Sequence, residues 1–252
     1  MPPALRLLYT ADLHNRLTPA LAERLRQVKR DHEALLVDGG DAVAAPNVLV
    51  YPRPERAVRL LGAAGCDLMG LGNREYFFRR WGLRRKTGGA SFPVLCSNLV
   101  AVGPGLPEEA EHGAGVEHLR RWMVLEGAGR RVGFFGLCPE MIVPGTWAER
   151  CSDMRFVPWQ EAAATASEAL RPQCDLIVAL AHVGAPTQEA LAQAHPEVAL
   201  ILGAHTHGPA VELLTAAGVP IVRVPPHARA AALVALEPEA GALPQVTEVP
   251  LQ

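Results

Sequence analysis

Several things are scarce in this 252-residue chain, and each scarcity narrows what it can be. Cys66, Cys96, Cys138, Cys151 and Cys174 are odd in number, and no two share a CxxC spacing. That excludes a thiolate zinc cage and a disulfide framework; isolated cysteines on apolar strands read as small buried residues in a reducing compartment. No apolar run approaches 18 residues, so no membrane span is expected. Residues 1–9 lack the length and the small-residue cleavage site of a secretory leader, so the expected location is cytoplasmic. Charged residues make up 20% of the chain and the net charge is −2, which excludes a basic nucleic-acid binder. Aromatics are 5%, and no substrate-stacking surface is identifiable among them. Internal repeats, low-complexity tracts and a domain boundary are also missing, so residues 1–252 read as one domain. Apolar residues are plentiful: 49% of the chain is hydrophobic, enough for a sizeable core.

Along the chain, strand-like runs alternate with helix-like ones. Residues 5–10 form an apolar run that stops at Ala11-Asp12-Leu13-His14. Thr18-Pro19 then opens a helix, threonine as cap and proline at its first position, with Leu21, Leu25 and Val28 on one face. Residues 34–37 predict a second strand, ending in Asp38-Gly39-Gly40-Asp41. A helix after Pro54 carries Ala57, Leu60, Leu61 and Ala64, and a third strand over 67–71 ends in Gly72-Asn73-Arg74-Glu75. Repeated strand–loop–helix units predict an α/β sheet, whose chemistry gathers at the carboxyl ends of its strands. Arg79, Arg80, Arg84, Arg85 and Lys86 follow, readable as a solvated face or as an electropositive rim for an anionic substrate.

Residues 92–95 predict a strand and 103–115 an exposed loop. Residues 122–125 and 132–137, split by Gly127-Ala128-Gly129, predict a hairpin. Residues 138–147 read as irregular, and 159–171 as an alanine-rich helix stopped by Pro172. Residues 175–181 are a continuous apolar strand, buried on both faces, that ends at His182. A helix over 187–194 leads to a strand over 198–202 and then to Gly203-Ala204-His205-Thr206-His207. Four short strands, over 211–214, 221–224, 231–236 and 246–249, predict an antiparallel finish or a second sheet.

Collected from the strand ends, the polar residues are Asp12, His14, Asp41, Asn73, His182, His205 and His207. Alone, each aspartate or asparagine reads as a turn residue or a helix cap, and each histidine as an ordinary surface or satisfied core residue. Together they are a mixed set of carboxylate, amide and imidazole donors, suited to manganese, iron, zinc, cobalt or nickel rather than to calcium or a thiolate site. Seven ligands exceed one open site, and two metals sharing a carboxylate are the economical solution.

Asp12-x-His14, Gly40-Asp41, Gly72-Asn73, His182 and Gly203-Ala204-His205-Thr206-His207 resemble, in chain order, the signature of the calcineurin-like metallophosphoesterases. The runs at 7–14, 92–95, 132–137 and 175–180 resemble the 5′-nucleotidase branch, catalytic domain only. The resemblance implies a four-layer α/β/β/α sandwich and two divalent metal ions. It assigns Asp12, His14, Asp41 and His207 to one ion, and Asp41, Asn73, His182 and His205 to the other, with Asp41 bridging. A hydroxide between the metals would attack phosphorus in line. The expected partner is a small phosphorylated substrate, a phosphomonoester or phosphodiester, with a nucleotide among the candidates. No nucleic acid or membrane partner is expected.

The chain departs from that signature in its third loop. The family carries Gly-Asn-His-Glu, with an aspartate two residues beyond the glutamate in the nucleotidase branch; here the text is Gly72-Asn73-Arg74-Glu75-Tyr76-Phe77. In the family the histidine stabilises the transition state or helps protonate the leaving oxygen. Arginine stays protonated and cannot act as that acid, but it can clamp phosphate oxygens. Arg74 is therefore the expected catalytic and phosphoryl-binding residue, with Asn73 and His227 as further substrate contacts; the alternative for Arg74 is a side chain pointing to solvent. His227, or Arg229 beside it, lies in a loop that borders the active site in the family, and His227 is also a candidate for the missing acid. His32, His112, His118 and His195 read as residues of helix ends or exposed loops. The competing reading of the whole is a member that binds metal and a phosphorylated ligand without turnover.

Overall fold

The computed structural model describes residues 3–45, 52–102, 119–143, 145–237 and 242–252. The first half runs β1 (Leu5–Thr10), α1 (Pro19–Asp31), β2 (Leu35–Asp38), α2 (Arg56–Ala64), β3 (Leu68–Gly70), α3 (Arg80–Thr87), β4 (Val94–Leu95), β5 (Leu99–Ala101) and β6 (Leu119–Arg120). The second half runs β7 (Trp122–Gly127), β8 (Arg130–Leu137), α4 (Trp147–Cys151), β9 (Met154–Phe156), α5 (Trp159–Leu170), β10 (Leu176–Ala181), α6 (Ala185–Ala194) and β11 (Leu200–Gly203). It closes with β12 (Glu212–Ala216), β13 (Val219–Arg223), β14 (Ala230–Leu236) and β15 (Gln245–Pro250).

Two sheets carry the fold. The first has the order β15-β14-β1-β2-β3-β4-β6, parallel from β1 to β6 and antiparallel at the β14 and β15 edge. The second has the order β12-β13-β11-β10-β8-β7, with β13, β11, β10 and β8 parallel and an antiparallel strand at each edge. The final strands thus divide: the β12–β13 pair extends the second sheet, and β14–β15 finishes the first.

Side-chain alternation makes the layers. On β1, Leu7 and Tyr9 join Phe134, Leu180, Leu202 and Val222 in the core between the sheets, while Leu8 turns the other way, into a core with residues of α1 and α2. A third core lies under the second sheet, where Ala162, Ala166 and Leu170 of α5 and Leu191 of α6 meet Phe135, Ala179 and Ile201. Helix, sheet, sheet and helix form the four-layer α/β/β/α sandwich expected.

Local chemistry explains the element ends. Thr18 Oγ1 accepts from Leu21 N at 3.3 Å and Pro19 begins α1, whose Ala22 and Leu25 are buried. Ala128 and Gly129 have φ of 53° and 72°, the paired left-handed conformation that turns β7 back into β8.

The structure differs from the sequence reading in a few places. Most of the basic run lies in α3, where Arg84 and Arg85 are exposed, as Arg79 is before it, but Lys86 is not part of that solvated face: it is 1% exposed and its Nζ donates to the carbonyls of Arg74 at 2.6 Å and Tyr76 at 3.0 Å. Its inward face is Gly82, Leu83, Lys86 and Thr87, which gives almost no apolar periodicity to read. α4 begins at the last residue of the stretch read as irregular, and β9, beyond it, pairs with β5. All five cysteines are free, but Cys151 is exposed at the end of α4 and Cys174 is half-buried. His195 caps α6 yet is largely buried, its Nδ1 3.0 Å from Glu197. The loop expected over 103–115, with His112, and His118 lie outside the described residues. No helix among the described residues is long and apolar enough to cross a membrane.

Candidate metal centre

The carboxyl ends of β1, β2 and β3 in one sheet meet those of β10 and β11 in the other. Tyr9 Oη donates to Gly203 O at 2.9 Å and His205 N to Asp12 Oδ2 at 3.1 Å, joining the sheets there. Asp12, His14, Asp41 and His205 have φ of 52°, 48°, 54° and 70°. Left-handed backbone costs non-glycine residues energy and persists where the surroundings dictate it. Here Asp12 N donates to Gly40 O and His14 N to Asp41 O, both at 2.9 Å, so the first two loops hold each other. The third loop presses on the second: a Cβ on Gly72 would lie 2.3 Å from Asp41 Oδ1, and one on Gly40 would lie 2.5 Å from Gly72 N.

This brings all seven strand-end residues into one cluster. His207 Nε2 is 3.2 Å from Asp12 Oδ1, and His14 Nε2 is 3.6 Å from that oxygen and 4.0 Å from Asp41 Oδ2. His182 Nε2 is 3.5 Å from Asp41 Oδ1 and 3.2 Å from Asn73 Oδ1, which is 3.0 Å from His205 Nδ1. Ligand atoms of Asp12, His14 and His207 lie within 4.8 Å of one another, as do those of Asp12, Asp41 and His182. Asp12 therefore belongs to both groupings; Asp41 belongs to the second, and its Oδ2 lies 4.0 Å from His14 Nε2 of the first.

The donor set fits divalent cations. His14 Nε2 is buried, aimed at two carboxylates and without a hydrogen-bond partner. His182 Nδ1 must donate to the Gly39 carbonyl at 2.9 Å, which leaves Nε2 facing Asp41 and Asn73. Burial disfavours the charged ring of His182, yet its bond to Asp41 and the charges of Asp41 and Asp12 outweigh that and lift its pKa to about 9. Burial opposes ionisation of Asp12, but the His14 ring 3.6 Å away and the charges of His182 and His207 hold it below the usual carboxylate range. The buried carboxylates and imidazoles thus favour each other's charged forms.

Two supporting acids carried no role in the sequence reading. Glu75, wholly buried, accepts from Asp41 N at 2.9 Å and Gly72 N at 3.0 Å through Oε2, and from Val43 N at 3.1 Å through Oε1. Burial first, then the Asp41 charge, raise its pKa to about 7. Asp38 accepts from Gly40 N and Thr10 Oγ1, and burial raises its pKa to about 8. A carboxylate amid apolar residues beside a glycine turn was the available signal for each.

Arg74 does not reach freely into solvent. Its backbone N donates to Asp41 Oδ1 at 2.7 Å, its Nε lies 3.5 Å from Asp41 Oδ2, and Nη1 donates to Ala44 O at 2.9 Å; a third of the side chain is exposed. Phe77 is 5% exposed, with its ring 4.8 Å from Phe78 and 5.1 Å from Trp81. His227 is exposed, with its ring 5.0 Å from that of His14 and 6.3 Å from that of His207, and its N donates to Asp12 O at 2.8 Å. Arg229 binds the carbonyls of Pro226 and Gly208.

The calcineurin-like phosphoesterase family model matches residues 5–209, a span holding all seven clustered side chains. The chain belongs to that family. Its relatives are of the 5′-nucleotidase-like branch. Protein 5NUC of Lutzomyia longipalpis is 25% identical over 176 residues, which cover 69% of this chain and 29% of that one. The 5′-nucleotidase of Diplobatis ommata is 25% identical over 229 residues, 82% of this chain and 38% of that one. In three dimensions, the 5′-nucleotidase precursor of Thermus thermophilus superposes with a TM-score of 0.73 at 20% identity, over 98% of this phosphoesterase chain and 54% of that chain. The chain spans less than half the length of the curated relatives it matches. His227 lies beyond the matched span.

Proposed function

We propose that this chain hydrolyses small phosphoesters with the help of two divalent cations. One would be held by Asp12, His14, Asp41 and His207, and the other by Asp41, Asn73, His182 and His205. The observation that carries this reading is the pair of overlapping donor groupings that share Asp12, with Asp41 in reach of both. The nitrogen and oxygen donors suit manganese, iron, zinc, cobalt or nickel. Bound there, such ions supply positive charge to phosphoryl oxygens and acidify water.

The chain's own residues do the rest. Asn73 and the three αL loops orient the donors. Arg74, beside Asp41 at the rim, offers its guanidinium to a phosphoryl oxygen. It holds its proton permanently, so it stabilises charge but does not protonate the leaving oxygen. His227, on the open side of His14 and His207, is a substrate contact. The substrates are phosphomonoesters or phosphodiesters with good leaving groups, and a nucleotide is one candidate given the relatives' names. Five free cysteines favour a cytoplasmic setting.

Turnover of an aryl phosphodiester and an aryl phosphomonoester with added Mn²⁺ tests the proposal, with Asp41→Ala as the variant expected to abolish it. One observation favours a second reading, a cation- and phosphate-binding protein without turnover: Arg74 is engaged by Asp41 and Ala44, and the dyad aspartate is replaced by a core phenylalanine. Cation uptake and phosphate binding with no hydrolysis of either ester would establish it.

A further inference from the structure

Gln188 sits on α6, wholly buried behind the ends of β10 and β11. Its amide nitrogen donates to the carbonyls of Val183 at 2.8 Å and Ala204 at 3.0 Å, and lies 3.4 Å from that of Ala181. These carbonyls bracket two of the clustered histidines: Ala181 and Val183 stand either side of His182, and Ala204 precedes His205. The amide oxygen accepts from Arg223 Nε at 2.8 Å. Close approach is built in, because a Cβ on Gly203 would lie 2.5 Å from Gln188 Oε1.

Arg223 explains the orientation. It ends β13 and is 7% exposed. Its Nη1 is 3.9 Å from Glu212 Oε2, beyond hydrogen-bond length, and its Nη2 is buried without a partner. A guanidinium so placed is costly, and its short bond is the one to Gln188. That bond fixes the amide: with the oxygen held by Nε–H, the nitrogen must face the three carbonyls.

On the opposite side of the same strand ends, the rings of His182 and His205 converge on Asn73 Oδ1 at 3.2 and 3.0 Å. Each ring's place depends on how far the two strand ends stand apart, and Gln188 spans that gap. We propose that Gln188, oriented by Arg223, is a positioning residue that sets His182 and His205 for one shared cation. This rests on the assignment of those histidines to a cation site.

The test is calorimetric titration of the metal-free chain with Mn²⁺ alone, without substrate. The wild type should show two steps, assigned with His207→Ala, which weakens one, and His205→Ala, which weakens the other. Gln188→Glu keeps the size and the Arg223 contact but turns a carboxylate oxygen on the three carbonyls. It should weaken the His182/His205 step about tenfold to a hundredfold and leave the Asp12/His14/His207 step within about twofold. Arg223→Gln, which frees the amide to turn, should weaken the same step about threefold to tenfold, and carries the test if Gln188→Glu does not fold. Thermal unfolding of the metal-free variants is read in parallel, because a merely structural role lowers the midpoint and weakens both steps alike. Equal weakening of both steps, or no weakening of either, overturns the proposal while leaving the hydrolytic reading intact. A wild type that takes up no cation overturns both.

Discussion

The two sheets contribute unlike halves to one cluster. The first brings the oxygens, Asp12, Asp41 and Asn73, together with His14; the second brings only imidazoles, His182, His205 and His207. Their supports differ in the same way. Loops of the first sheet are tied by buried acids, Glu75 across Asp41, Val43 and Gly72, and Asp38 across Gly40 and Thr10. Strand ends of the second are tied by the neutral amide of Gln188. One half therefore concentrates the negative charge that draws cations, and the other supplies imidazole nitrogens that need only be held in place.

The comparison can be broken from either side. Asp41→Ala removes the carboxylate proposed to be shared by the two ions, and should lower Mn²⁺ affinity and hydrolysis by more than about a hundredfold. His207→Ala, on the imidazole side, should spare the His182/His205 step in the same titration. Glu75→Gln keeps the shape but sets an amide N–H against backbone N–H groups, and should cost about 1–3 kcal/mol in urea unfolding of the metal-free chain. Arg74→His should speed hydrolysis of alkyl phosphates about tenfold and leave aryl esters little changed, because a titratable acid returns. Equal wild-type rates on aryl and alkyl esters would sink that account of Arg74. Adding Phe77→Asp, to restore the family's aspartate, would bury a carboxylate against Phe78, Trp81 and Gly82 and should destabilise the chain.

The gentlest effect concerns pH. Asp38 and Glu75 have pKa values raised on folding to about 8 and about 7, so the folded chain binds their protons more tightly than the unfolded chain does. Their stabilisation is complete below the unfolded values near 4, and is lost as pH rises through about 7 and 8. The unfolding midpoint of the metal-free chain should fall between pH 5 and 9, and Asp38→Asn should flatten that fall. A midpoint that rises over this window, or an unchanged slope in the variant, contradicts the assignment.

What was legible in the sequence follows from how local each signal is. The end of β1 at Thr10, the Thr18-Pro19 start of α1 and the Ala128-Gly129 turn are written in adjacent residues. Asp12, His14, Asp41, Asn73, His182, His205 and His207 could be picked out because each follows an apolar strand, and parallel strands bring such ends together. α3 was missed because a buried lysine, a threonine and a glycine form its inner face. Glu75 gives no such signal, since its partners lie 32 and 34 residues away as well as in its own turn. Gln188 and Arg223 are 35 residues apart, and nothing near either one announces the other.

The most direct measurement is the number of ions that the metal-free chain takes up when dialysed against Mn²⁺ or Zn²⁺, read by elemental analysis for the wild type and Asp41→Ala. Two ions per chain in the wild type, falling to one or none in the variant, is the result expected. No uptake by the wild type, or the same two ions in both, contradicts the shared-carboxylate cluster on which the proposed hydrolysis depends.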